Sequence, residues 1–251
     1  MSRIESFKRA LEEKRAVKII AGIDNFDIDK VKKVVISAEA AGASAVDICA
    51  DPEIVSAIRE ITSLPVFVSS IVPEELAHAV ALGADAIELG NFDALYKKGC
   101  SFSATQVLNL AKRTIELISD SNVFFCVTIP GELEISEQIN LARELETMGV
   151  DLIQTEGHFS AEPSNGARGL VERAELTLAN TIELSRNLSI PVMTSSGISS
   201  VTAPMAFAAG ASAIGVGSCI NKCENLLAMM AAARAVVESV SRVSEEEKLS
   251  V

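Results

Sequence analysis

Short runs rich in Val, Ile and Ala recur along the chain, each followed by polar residues and then by a longer stretch with helical spacing. The recurring junction is a helix that ends in glycine with a strand starting at once: AAGASAVDIC, ALGADAIELG, TMGVDLIQTE and AAGASAIGVG, with Gly42, Gly83, Gly149 and Gly210 as the helix stops. Glycine suits that place because helices commonly end on a left-handed residue. Other strands begin from proline, as in Leu64-Pro65-Val66 and Ile190-Pro191-Val192. The pattern predicts eight strands: Val17 to Gly22, Ala45 to Cys49, Val66 to Ser69, Ala86 to Gly90, Val123 to Thr128, Leu152 to Gly157, Val192 to Ser196 and Ala213 to Gly217. Eight such units separated by helices predict an α/β fold of the (β/α)8 TIM-barrel type. The segment MSRIESFKRALEEKR reads as an amphipathic helix ahead of the first strand, placed to cover the barrel floor. An open nucleotide-binding sheet would want a glycine fingerprint after the first strand, where AGIDNFD has a single glycine.

A length of 251 residues with 49% hydrophobic content suits one barrel domain, set at 1–243, followed by a charged tail, SEEEKLSV, expected to lack order over 244–251. The net charge of −12 speaks against nucleic acid or an anionic membrane as partner, both of which demand a basic face. It leaves a small phosphorylated ligand open, because backbone dipoles and one or two cations hold a phosphate locally. Five cysteines without paired spacing read as reduced thiols, and no metal site is expected, since Cys219 and Cys223 lack two further matched ligands. With no apolar signal core and no uninterrupted membrane-length run, the expected location is intracellular.

The stretch from Pro191 to Asn221 contains two strand-then-turn units, PVMTSSGIS and AIGVGSCIN, joined by a short Ala-rich helix. In parallel barrels the turns after the last two strands offer backbone N–H groups and a helix N-terminus to phosphate. Ser196, Gly197, Ser199, Gly217 and Ser218 are the expected phosphate-binding residues: the glycines allow close approach of an anion and the serines add donors. Ordinary turn and cap chemistry is the competing explanation.

Catalytic groups belong at the strand C-termini, on the inward face of a two-residue period. That places Asp47 and Cys49 inward with Val46 and Ile48 outward, Glu88 inward between Ile87 and Leu89, and Gln154 with Glu156 on one inward face. Lys18 is the one lysine assigned to a strand. Lys18, Asp47, Glu88 and Glu156 thus form the expected catalytic set, suited to proton transfer or Schiff-base chemistry; simple internal charge pairing is the alternative. The string NFD occurs at Asn25 to Asp27 and again at Asn91 to Asp93, where helix capping by the aspartate is the simpler reading. The polar segment from His158 to Gly169, with Arg168 inside it, has the composition of a closing lid or a solvated loop.

The strings VKIIAG-IDNFD, VDICADPE, ELGNFD, LIQTEG, PVMTSSGIS, TAPMAFAAGA and GVGS, in this order, resemble the hypothetical chloroplast open reading frame twenty-three family of cyanobacteria and algal plastids. The resemblance implies an aldolase-type barrel, cytoplasmic in a cyanobacterium or stromal in a chloroplast if plastid-encoded. More distantly, SSGIS followed by GVGS looks like the phosphate grip of ribulose-phosphate-binding barrels, and that likeness extends to Ser196, Gly197, Gly217 and Ser218. The catalytic cysteine of phosphoribosylanthranilate isomerases has no counterpart in VKIIAG. The resulting expectation is a lyase or isomerase acting on a small phosphorylated metabolite, the alternative being a non-catalytic regulatory protein that binds one. No cofactor is expected beyond the phosphate-bearing ligand, FMN is disfavoured, and a homo-oligomer is compatible with the pattern.

Overall fold

A computed structural model describes residues 2–96, 98–157 and 164–249, with the backbone alone for 242–249. Strands β1 (Ala16–Ile20), β2 (Ala45–Cys49), β3 (Val66–Ser70), β4 (Ala86–Leu89), β5 (Phe124–Thr128), β6 (Leu152–Thr155), β7 (Val192–Thr194) and β8 (Ala213–Val216) are all parallel and close into a barrel in chain order. Helix α1 (Arg3–Glu12) precedes β1. The outer layer is α2 (Ile28–Ala41), α3 (Pro52–Ile61), α4 (Pro73–Ala81), α6 (Ala104–Leu117), α7 (Ile135–Thr147), α8 (Gly166–Asn187), α9 (Ala203–Ala208) and α11 (Leu226–Leu249). Single turns α5 (Asp93–Tyr96) and α10 (Ser218–Asn221) follow β4 and β8.

The expected strands agree with these to within two residues at either end. The differences fall mainly where a residue past the ladder turns away, as Gly22, Gly90 and Ser196 do with positive φ. The helix stop at Gly42 is the left-handed cap the sequence implies, with φ 75°. Helix α11 carries the backbone on to Leu249. A Glu- and Lys-rich run has high helix propensity and continues the preceding helix. The expected loop over 158–169 also changes: His158 lies outside the described residues, and from Gly166 the chain is already helix α8, where Arg168 pairs with Glu172 one turn on at 2.7 Å.

Alternation sorts the strands into two cores. Outward residues such as Val17, Ile19, Val46, Ile48, Ile87 and Val127 pack under the helices. Inward residues near the strand N-termini, among them Ala45, Phe67, Ala86, Phe124 and Leu152, close the bore from below together with Phe7 and Leu11 of α1. Phe7 makes edge-to-face contacts with Phe67 and Phe124 at 5.0 and 5.9 Å between ring centres, which is the favoured aromatic geometry. Helix α1 therefore plugs the floor, and the polar inward positions above it form the site.

Replacing Phe7 with Ala should cost about 3–5 kcal/mol of stability, because a fully buried ring would leave a cavity at the bottom of the bore. Denaturant unfolding measures it, and a loss below about 1 kcal/mol would mean the floor closes without the ring.

Candidate functional site

Above the aromatic floor, Lys18 projects from β1 into the bore, fully buried, its Nζ 5.0 Å from the centre of the Phe67 ring. It forms an ion pair with Glu88 from β4, also fully buried. The other oxygen of Glu88 accepts from Gln154 Nε2 at 2.7 Å and from the Thr128 hydroxyl at 3.1 Å. Asp47 from β2 accepts from the Ser69 hydroxyl and, at 3.1 Å, from Asn91 Nδ2. Asn91 Oδ1 in turn accepts from Gln154 Nε2 at 3.1 Å, so the Glu88 and Asp47 halves join in one network spanning β1 to β6.

Asn91 reaches this network through a backbone device. Gly90 adopts φ 145°, and a Cβ there would run into the Thr128 side chain. Only glycine fits, and the next residue, Asn91, takes the left-handed φ of 64° that turns its amide back toward the axis. The second NFD string is thus a site element. In the first, Asp27 does cap α2, accepting from the backbone N–H groups of Asp29 and Lys30.

The charges are unequal in their demands. Burial works to lower the pKa of Lys18, but the Glu88 and Asp47 carboxylates outweigh it and hold the ammonium above its ordinary value. For Asp47, burial dominates: despite the Lys18 charge, desolvation with the nearby Glu88 carboxylate pushes the acid up to about 7. Burial likewise raises the Cys126 thiol, which lies beside Glu88, well above the ordinary range. A lysine kept as ammonium is no amine nucleophile, whereas an acid titrating near neutrality is matched to proton transfer.

Of the four expected catalytic residues, three meet. Glu156 is buried but stands apart, past the end of β6, where it accepts from the Asp93 backbone N–H and the Tyr96 hydroxyl, each at 2.6 Å. Burial, then the adjacent Asp93 carboxylate, raises its pKa well above the ordinary value. Sequence reading left Ser69, Asn91, Thr128 and Gln154 out of the set. Ser69 and Thr128 carry the inward parity of Phe67 and Phe124, a signal present in the strings FVSS and FFCVT.

The expected phosphate turns lie at the same end of the barrel. Ser196 and Gly197 are both left-handed, with φ of 68° and 73°, and a Cβ on Gly197 would strike the Arg173 carbonyl of α8. The Ser196 hydroxyl donates to Asp93 at 2.9 Å. Ser199 is turned inward, its backbone N–H donating to Thr202 Oγ1 at 2.9 Å in the turn that starts α9. Gly217 and Ser218 open α10, and Asn221 Nδ2 ties that turn to the Ile20 carbonyl of β1 at 2.9 Å. Among the described residues no cluster of three or more His, Cys, Asp or Glu is placed to hold a metal, and no helix is long and apolar enough to cross a membrane.

The family described as Protein of unknown function (DUF561) matches residues 1–246. The chain belongs to that family. A relative from Pyropia yezoensis, "Uncharacterized protein ycf23", is 38% identical over 219 residues, covering 87% of this chain and 80% of that protein. The family resemblance read from the sequence strings therefore holds. Among solved structures, (S)-3-O-geranylgeranylglyceryl phosphate synthase from Thermoplasma acidophilum, in complex with substrate sn-glycerol-1-phosphate, superposes with a TM-score of 0.64 at 18% identity over 96% of this chain and 99% of that one. A 3-hexulose-6-phosphate synthase superposes with a TM-score of 0.67 at 14% identity over 89% and 99%. At such identities the likeness is one of fold, and it agrees with the expected aldolase-type barrel.

Two measurements probe the network. Lys18→Met should cost about 3–5 kcal/mol by leaving Glu88 buried without its partner, and Lys18→Met with Glu88→Gln should recover much of that; a single variant as stable as the parent would show that the pair is not held. The second concerns pH. The folded pKa of Asp47 lies above its ordinary value of 3.8, so its contribution to stability is full below about pH 4 and is lost as pH rises through about 7. Asp47→Asn should remove a decline on the order of 1 kcal/mol per pH unit from that window, and identical pH profiles for the two proteins would place the titration elsewhere.

Proposed function

We propose that this protein is a lyase or isomerase acting on a small phosphorylated metabolite. The observation that carries the reading is Asp47, an acid with a pKa near 7 set among hydrogen-bonding amides and hydroxyls, at the same end of the barrel as the serine and glycine turns after β7 and β8. Asp47 takes or gives the proton; Lys18 and Glu88 set its electrostatics. Gly197, Gly217, Ser196 and Ser218 hold the phosphate through backbone and hydroxyl donors. Ser199 is assigned a supporting place in the turn, and Glu156 fixes the loop after β4. Support from outside the chain is that barrels of this fold include a geranylgeranylglyceryl phosphate synthase in complex with sn-glycerol-1-phosphate and a 3-hexulose-6-phosphate synthase. The assigned compartment is the cytoplasm in a cyanobacterium or the chloroplast stroma where the gene is plastid-borne, and no cofactor is assigned.

A second reading, a regulatory protein that binds the metabolite without turnover, is favoured by one observation. Lys18 and Glu88 are fully buried and paired with each other.

The anion site is tested by thermal unfolding. Inorganic phosphate should raise the melting temperature, and Gly217→Asp should abolish the rise by placing a carboxylate where the anion sits. An equal rise in both proteins would put the anion elsewhere. Catalysis is tested by solvent-deuterium incorporation into a panel of phosphorylated aldehydes and ketones, read by NMR. Exchange that is lost in Asp47→Asn supports the enzyme; ligands that bind without any exchange support the regulatory reading. Borohydride added to the same mixtures should leave Lys18 unmodified.

A further inference from the structure

Two polar groups facing the bore have no partner among the described residues. The first is Gln154 Oε1, which is buried, on a residue only 1% exposed. The Nε2 of the same amide donates to Glu88, Thr128 and Asn91, which come from β4, β5 and the turn after β4. The amide is planar, so its Oε1 end is turned away from those three. On the other side of β6 lies β7, where Gln154 pairs in register with Met193 and the next inward residue is Ser195.

The Ser195 hydroxyl is the second such group. Ser195 is 6% exposed, and among the described residues its side chain makes no hydrogen bond. Gly215 of β8 makes its seat: a Cβ there would lie 2.9 Å from Ser195 Oγ and 3.0 Å from Ile20 Cδ1. Gly215 has no left-handed φ, so the backbone does not demand glycine, whereas the close approach of the serine does. Buried polar atoms are paired as a rule, and these two stand ready for a group from outside the chain. Covalent continuity puts them under the expected anion turns. Ser195 directly precedes Ser196 and Gly197, and Gly215 lies two residues before Gly217. Between those turns and Asp47, which is tied to Gln154 through Asn91, the organic part of a bound phosphate ester runs past Ser195.

The chemistry of the pair selects the ligand group. Gln154 Oε1 only accepts, so its partner must donate: a hydroxyl qualifies and a carbonyl oxygen does not. Ser195 Oγ both donates and accepts, and bonds the same hydroxyl or its neighbour. We propose that the ligand is a phosphate ester with free hydroxyl groups on its carbon chain, and that Ser195 and Gln154 are the residues that bind them. This rests on the phosphate-binding reading above and narrows it to hydroxylated esters.

Isothermal titration with inorganic phosphate, propyl phosphate and glycerol phosphate tests it, the two esters being alike in carbon count and different in hydroxyls. Glycerol phosphate should bind on the order of tenfold tighter than propyl phosphate, and Ser195→Ala should bring that ratio close to one with inorganic phosphate still bound. Gln154→Leu should lower the ratio too, but it also takes a donor from Glu88 and Asn91. Ser195→Ala removes no hydrogen bond among the described residues and therefore decides, with circular dichroism and melting temperature checking its fold. The proposal is overturned, with the phosphate site left standing, if the unaltered protein binds both esters equally or if Ser195→Ala keeps the full preference for glycerol phosphate. It fails as well if Ser195→Ala weakens all three probes by the same factor, which would make the serine a support of the phosphate turn. If the unaltered protein binds none of the three, both readings fall.

Discussion

The ion pair between Lys18 and Glu88 dictates what its neighbours must be. Two charges taken out of water are tolerable only with good geometry and with their remaining hydrogen-bonding capacity satisfied. Glu88 obtains this from Thr128 and Gln154, which draws β5 and β6 into the same constellation. A second carboxylate, Asp47, then stands near the same single ammonium. One cation faces two buried carboxylates, and the pKa of Asp47 is raised to about 7. Burial is the main cause of that rise, the Lys18 ammonium opposes it, and the Glu88 carboxylate adds to it.

The architecture was legible because the signals for it are local. Glycine at a helix stop followed by a β-branched run is decided within ten residues, and repetition fixed both the strand order and the inward parity of Lys18, Asp47 and Glu88. The site was legible only where it sits inside strands. Asn91 enters the bore because Gly90 takes a conformation closed to other residues, an event two-residue parity does not encode. Glu156 shows the opposite limit: β6 ends at Thr155, and beyond it the buried Glu156 carboxylate bonds to the loop after β4, a partner that two-residue parity does not encode. Ser199 reads as a donor in the string SSGIS, yet its N–H is spent on Thr202 three residues away. That competition is visible in principle, since Ser and Thr at that spacing bond each other readily.

Repeated strings need not do repeated work. Asp27 and Asp93 occupy equivalent places in two NFD segments, but the first caps a long helix while the second lies on a single turn that leans across the mouth. The length of the following connection makes the difference. After Asp27 the helix starts at once, whereas after Asp93 the chain continues to Ser103 before α6 begins, and that slack lets it reach β1, β6 and β7.

The aromatic floor has a role beyond filling space. Phe7, Phe67 and Phe124 seal the bore at the strand N-termini. Lys18, Asp47 and Glu88 are all fully buried above the rings. The helix that precedes the first strand thus acts as electrical insulation for the buried charges of Lys18 and Glu88, which lie on the far side of three phenyl rings.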